Sequence, residues 1–475
     1  MFTDIFQRYA DRTLFECEDG RSFPYAAVLD LSCRTAIRDT FRRLVFCLCA
    51  NEPGGLLGYL GLVTAGAVPM MLSATVNPSQ LAVLLGRYRP AYAWCPLERM
   101  RESLGGRQVL KKWGYVLVAL DYSESYSINN SLALLLSTSG STGSPKFVRI
   151  SNQNVACNAR AISDYLCLTS EEQPITTLAP SYTYGLSILH SHLLNGCKIA
   201  LTNRPMFDGG FWQFLKTSKA TSMGGVPYQY EILRRLKFTA MDLPYLRTLT
   251  QAGGRLSPSL ASEFAVHCAS HGLRFFIMYG QSEATARISY LSPQRVLSKP
   301  GSIGQAIPGG KIWLEDESGN VQTNDAEAGQ LVYQGKNVCM GYAENMDDLA
   351  KGDEFGGILR TGDVARRDEE GDYFIVGRLK RFLKLFGHRV NLQDLEDELS
   401  AAGHFAACAG RDDQIDIYLC NVKSEIAKLI KTQIIKKFLW PPSSVRILSV
   451  THMPFSEAGK IQYSELPLMI SEVLA

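Results

Sequence analysis

The chain has no Cys-x-x-Cys pair and none of the Cys/His spacings that hold zinc. Its twelve cysteines are scattered, with only Cys47 and Cys49 close together. No secretory leader is legible, so reduced thiols in a cytoplasmic protein are expected. An excess of either charge is also missing. Lys and Arg number 49 against 46 Asp and Glu, a net charge of +3, and no basic stripe stands out, so a nucleic-acid partner is not expected. No internal repeat or low-complexity tract occurs, which removes repeat architectures from consideration. Charge is absent altogether from Pro53 to Gly86, where GGLLGYLGLVTAGAVPMML is long enough to suggest a membrane span. Five glycines, one proline and the lack of a flanking Lys/Arg cluster argue against a span. The stretch divides into a buried helix (Gly54 to Ala65), a turn at Ala65-Gly66 and a buried strand (Ala67 to Leu72).

What is present is an ordinary globular balance, 46% hydrophobic and 20% charged, over 475 residues. At ~150 residues per domain that length suggests about three domains. Helical patterns (NVACNARAISDYL, FWQFLKTSKA) alternate with short apolar strands (CKIALT, RFFIMY, KIWLED). This alternation implies an α/β architecture, a large N-terminal domain of helix-covered β-sheets. Charge density rises near residue 377, and the segments LQDLEDELSAA, QIDIYLCNV and SEIAKLIKTQIIKKFL predict a helix, a strand and a helix. The expected partition is residues 1–379 as the large domain and 380–475 as a small α+β domain.

The stretch LALLLSTSGSTGSPKFVRIS, Leu132 to Ser151, sets two buried strands around a loop of Ser, Thr and Gly that ends in Pro145-Lys146. Gly140 and Gly143 permit inward-pointing N–H groups, hydroxyls add donors, and Lys146 adds a full charge, so the loop suits anionic oxygen. A flexible linker shares the composition, but it seldom lies between two buried strands. The pattern is not GxxxxGK[ST] opening into a helix, which disfavours a P-loop kinase or GTPase while leaving triphosphate binding open.

In FFIMYGQSEATAR a strand ends at Tyr279, turns through Gly280 and presents Gln281, Ser282 and Glu283 beyond its carboxyl end, where α/β folds collect ligands. An aromatic ring there can stack on a base, and a carboxylate can hold magnesium. A surface turn with an exposed Glu has the same sequence. Between ILR and VARR, Asp363 is expected in a tight turn, able to accept from ribose hydroxyls. Arg378, after the strand DYFIV, could take a phosphate or the same ribose, although an ordinary charged hairpin also fits.

In chain order STSGSTGSPK, YGQSE, RTGD, GRLKRFLKLFGHR and FSEAGK resemble the adenylate-forming superfamily of acyl-CoA synthetases, peptide-synthetase adenylation domains and luciferases. The resemblance runs from about Phe6 to Tyr463. It implies ATP-dependent activation of a carboxylic acid to an acyl-adenylate with release of pyrophosphate. Transfer to a pantetheine thiol, of CoA or of an acyl carrier protein, would follow. An amide- or ester-forming ligase, an amino-acid-activating enzyme and a non-catalytic nucleotide-binding relative are the alternatives.

By the same resemblance, Thr138, Ser139, Gly140, Ser141, Thr142, Gly143 and Lys146 would wrap the β- and γ-phosphates of ATP. Gly253 and Gly254, with Tyr279, Gly280 and Gln281, would frame the adenine. Ser282 would lie near the α-phosphate, and Glu283 would hold Mg2+. Asp363, helped by Arg378, would bind the ribose. Lys460 would reach the carboxylate and the α-phosphate during adenylation, where an ammonium offsets accumulating negative charge. The small domain would swing about Lys380 between two poses, and Gly387 would line the pantetheine tunnel.

Amino-acid-activating relatives carry an Asp in the segment that here reads APSYTYGLSILHSHLLNG. Thr183 falls at that place, flanked by Tyr182 and Tyr184, and a buried ammonium without a carboxylate would be costly. The expected substrate is therefore an acid with an apolar, aromatic or hydroxylated body. Lys428, Lys431, Lys436 and Lys437 could face an acidic carrier, or simply solvate an amphipathic helix.

Overall fold

A computed structural model describes residues 2–122, 126–137, 146–322, 327–385, 388–438, 440–455 and 461–474. The chain divides into two compact units. The first is built from Met1–Thr138, Pro145–Ile312 and Tyr333–Leu359; the second takes Trp313–Val332 and Arg360–Ala475.

Among the described residues, the first unit holds sheets of nine and eight strands. In the larger sheet, Thr13–Cys17, Ile199–Leu201, Pro174–Ile175, Ser222–Gly225, Thr248–Gln251 and Arg274–Tyr279 run parallel, with antiparallel strands at both edges. In the smaller, Leu44–Cys49 lies parallel between Val68–Ser73 and Tyr92–Pro96. Its side chains alternate as a two-residue repeat requires. Val45, Cys47 and Cys49 enter one core with Leu57 and Leu60, while Leu44, Phe46 and Leu48 enter another with Leu81, Leu84 and Tyr88. One face of the larger sheet is covered by the helices Gly209–Thr217, Pro227–Arg235 and Pro258–Ser270 through Phe211, Tyr230 and Phe264.

The uncharged stretch folds as expected, into the helix Pro53–Thr64 and the strand Val68–Ser73. Its glycines permit close approach. A Cβ at Gly58 would collide with the Trp94 indole, whose N–H donates to the Gly54 carbonyl at 2.9 Å. Among the described residues, no helix is long and apolar enough to cross a membrane. All twelve cysteines are free thiols.

The second unit contains most of a four-stranded sheet (Lys311–Glu315, Gly329–Gln334, Ile358–Arg367, Tyr373–Arg378), the hairpin Phe382–Leu385/His388–Asn391, and a C-terminal sheet. In that last sheet Gln414–Cys420 pairs antiparallel with Ala406–Arg411 and parallel with Val445–Val450. Ile415, Ile417 and Leu419 pack against Leu395 of the helix Leu392–Ala401 and Ile430 of the helix Ser424–Phe438. Tyr418 enters a second cluster with Leu448 and Val450. The α/β class is as expected. Beside Trp313–Val332, the second unit takes the chain from Arg360 on, so most of the hairpin of Ile358–Arg367 and Tyr373–Arg378 groups with the C-terminal residues.

Candidate active site

The strand Arg274–Tyr279 ends as drawn from sequence, and Gly280 turns the chain into a single 3-10 turn, Ser282–Ala284. A Cβ at Gly280 would collide with the Ala286 carbonyl, so only glycine fits. Thr285 (φ 54°) and Ala286 (φ 119°) both take left-handed backbone, a concentration of strain that marks functional turns. Asn337 braces the turn, donating to the carbonyls of Ala284 at 2.7 Å and Arg287 at 2.8 Å.

The Glu283 backbone carbonyl accepts from the Cys339 N–H at 2.8 Å, and its carboxylate accepts from the Tyr342 hydroxyl at 2.8 Å. Tyr342 belongs to a strand paired with Phe147–Ser151, in register with Val148. Lys146, immediately before that strand, forms an ion pair with Glu344 at 2.6 Å and lies over the Tyr342 ring at 5.9 Å. Tyr342 thus meets two groups singled out from sequence, Lys146 over its ring and Glu283 at its hydroxyl. A lone carboxylate of this kind suits magnesium, which takes one or two protein carboxylates and completes its shell with phosphate and water oxygens.

Ser282 shares a hydrogen bond with Thr183, Oγ to Oγ1, at 2.8 Å, and its hydroxyl lies 3.5 Å from the carbonyl of Ser137, the last residue before the Ser/Thr/Gly loop. Tyr182 precedes the helix Thr183–Leu193, whose Leu186, Leu189 and Leu193 anchor it in the core. Gly253 (φ 87°) abuts this segment, and a Cβ there would collide with the Tyr182 hydroxyl. Gly254 meets the Pro227 ring, at 3.1 Å from where its Cβ would be. Tyr184 is buried, and its hydroxyl donates to Thr250. Burial pushes the phenols of Tyr182 and Tyr184 up to about 12, with Arg287 opposing the shift, so both are neutral donors at ordinary pH. Gln281 donates to the Tyr279 hydroxyl at 3.3 Å.

Within the second unit, Asp363 is not in a tight turn. It lies inside the continuous strand Ile358–Arg367, directly opposite Arg378, and the two pair at 2.9 Å (Nε to Oδ1). The preceding Gly362 takes φ 73°, which bends the strand without ending it. Asp363 is buried and Arg378 exposed. Lys380 sits in the turn Leu379–Arg381. Its neighbour Arg381 pairs with Glu396 at 2.7 Å, donates to the Cys408 carbonyl, and stacks over Tyr463 at 4.1 Å. Thr138, Ser139, Gly140, Ser141, Thr142, Gly143, Gly387 and Lys460 lie outside the described residues.

Sequence reasoning missed Tyr342, Arg287 and the Arg381–Glu396–Tyr463 cluster. Nothing in the surrounding pattern distinguishes Tyr342 from a core tyrosine. Arg287 closes the quoted YGQSEATAR segment, but burial of its guanidinium is not legible there.

A family model described as AMP-binding enzyme matches residues 2–343. The chain is 29% identical over 264 residues to an oxalate–CoA ligase of Arabidopsis thaliana, covering 54% of this chain and 50% of the relative. It is 30% identical over 283 residues to a feruloyl-CoA synthase of Amycolatopsis sp, covering 58% and 56%. The chain thus spans about half the length of these curated relatives. Among solved structures, an O-succinylbenzoate coenzyme A synthetase from Bacillus subtilis in complex with AMP superposes with a TM-score of 0.78 at 19% identity, covering 98% of this chain and 97% of that one.

Proposed function

Since the chain belongs to the AMP-binding enzyme family, we propose that it activates a carboxylic acid with ATP and passes the acyl group to a pantetheine thiol. A carboxylate oxygen of the acid attacks the α-phosphorus, the bond to the β-phosphate bridging oxygen breaks, and pyrophosphate leaves. In the second half-reaction a thiolate attacks the acyl carbon and AMP departs with the electron pair. The observation that carries this reading is the convergence of Ser282 and Glu283 with Thr183 and Ser137, segments far apart in sequence.

Glu283 would hold Mg2+, which when bound supplies positive charge to the phosphates. Lys146 and the loop Thr138–Gly143 would grip the β- and γ-phosphates, Gly253 and Gly254 would frame the adenine, and Asp363 with Arg378 would hold the ribose. Lys460 would neutralise charge between the two anions as they meet. Residues 380–475 would move as the small domain. In support, two hydrophobic clusters draw their members only from residues between Leu383 and Leu474. Thr183 at the pocket disfavours an α-amino acid.

Pyrophosphate exchange across a library of acids, followed by CoA and carrier proteins as acceptors, tests this reading. Acid-dependent exchange and thioester formation are expected. ATP binding without exchange for any acid would assign the chain to a non-catalytic role.

A further inference from the structure

A narrow cavity within the first unit is lined by Tyr184, next in sequence to Thr183, and by Ser187, Ser191, His192, Thr250 and Arg287. Arg287 is 2% exposed, so its charge is removed from water at a cost of several kcal/mol unless an anion and hydrogen bonds compensate. Arg149, also fully buried, shows what compensation looks like. Arg149 donates to the carbonyls of Tyr342, Met340 and Lys351 and pairs with Glu354 at 2.5 Å.

Arg287 has no such set. Its Nε points at the Met278 sulfur at 3.3 Å, its Nη1 reaches the Ala286 carbonyl at 3.3 Å, and its guanidinium lies 4.3 Å from the Tyr184 ring centre. The Tyr165 phenol oxygen accepts a further hydrogen bond from it, and with the Tyr184 face these contacts are all neutral, so none offsets the guanidinium charge with a negative one. Among the described residues no carboxylate pairs with it. Glu172, which also lines the cavity, is engaged by the Thr221 hydroxyl at 2.5 Å and by Arg274 at 3.3 Å.

A second observation points the same way. His192 is 3% exposed; its Nδ1 bonds to the Ile188 carbonyl at 2.8 Å, and its Nε2 has no partner. With Nδ1 as the donor, Nε2 offers an unused lone pair. Both groups belong to a braced framework. The Arg287 carbonyl is held by Asn337 at 2.8 Å, and His192 sits on the helix anchored by Leu186 and Leu189. The cavity therefore presents a fixed cation, on the turn that follows Ser282, and a fixed acceptor, on the helix that begins at Thr183.

We propose that the acid activated by this chain carries a second carboxylate at its distal end, which Arg287 binds, with His192 accepting from a hydroxyl or N–H group near that end. The inference rests on the adenylating reading and narrows its substrate to dicarboxylic acids. A carboxylate supplies the negative charge and the strong acceptor oxygens that the neutral partners of this guanidinium do not. It also explains why a cation with no carboxylate partner among the described residues is held near the candidate reaction centre.

Pyrophosphate exchange with matched pairs of acids tests it, each pair sharing a carbon skeleton and differing only in the distal carboxylate. Wild type is expected to favour the dicarboxylic member. Arg287→Met should raise KM for that member about 30-fold or more and reduce or invert the preference, while Arg287→Lys restores part of it. Melting temperatures of both variants separate recognition from folding. The wild-type comparison stands by itself should Arg287→Met not fold. Equal or better exchange with monocarboxylic acids by wild type overturns the inference and leaves adenylation intact. Exchange with no acid at all refutes the adenylating reading and the inference with it.

Discussion

Replacing Gly253 by alanine probes the point where the expected adenine frame meets the expected acyl segment. Gly253 has φ 87°, a region that costs an L-residue about 1–2 kcal/mol. The added Cβ would also strike the Tyr182 hydroxyl and lie 3.0 Å from a Val226 methyl. Overpacking of this kind costs about 1–3 kcal/mol. Gly253→Ala should therefore lower unfolding free energy by about 2–5 kcal/mol, read from urea midpoints, and raise KM for ATP in pyrophosphate exchange. The steric part is separable. Tyr182→Phe removes the struck oxygen, so the double variant should recover most of the overpacking loss and retain the 1–2 kcal/mol backbone cost. A Gly253→Ala protein as stable and active as wild type, or a double variant with no recovery, would refute the account of this contact.

Lys460→Ala should lower adenylation by about two to three orders of magnitude, the loss of roughly 3–4 kcal/mol of transition-state stabilisation, while thiolation of a supplied acyl-adenylate persists. Near-normal exchange would remove Lys460 from the mechanism. Lys380→Pro fixes φ near −65° and removes an N–H, so it should keep exchange and lose transfer to the thiol; wild-type rates for both half-reactions would mean that Lys380 is not a pivot. Stability should also fall in acid. Burial lowers His190 to about 3 and His192 to about 4, against 6.5 unfolded. Their folded pKa values are depressed, so the unfolded chain binds the extra protons. Stability is complete above pH 6.5 and declines as pH falls, by about 2 kcal/mol per imidazole at pH 5. His190 is held by the Tyr59 hydroxyl at 2.8 Å. His190→Gln should flatten the urea-midpoint profile by about that amount, and an unchanged slope between pH 7 and 5 would contradict the assignment.

Much of the architecture was legible without coordinates. The bounded strands on either side of the Ser/Thr/Gly loop and the end of RFFIMY at Gly280 depend on contacts a few residues apart, which sequence records directly. The glycine-rich apolar stretch also read correctly as helix, turn and strand, because its glycines, its proline and the lack of flanking Lys and Arg fit a core unit better than a span.

Asp363 was misjudged as a turn residue because Gly362 beside it carries a turn signal, whereas the paired strand Tyr373–Arg378 holds the backbone extended through it. Likewise, that Thr183 touches Ser282 across 99 residues follows from the order of strands in the sheet, and strand order leaves no local mark. The motifs, their order and the elements that carry them were determined by the sequence by itself. Only the tertiary structure decided that Tyr342 holds Glu283 and that Arg149 finds Glu354 while Arg287 finds no carboxylate. Burial and pairing of a charge depend on every element packed around it, and no window of neighbouring residues contains that information.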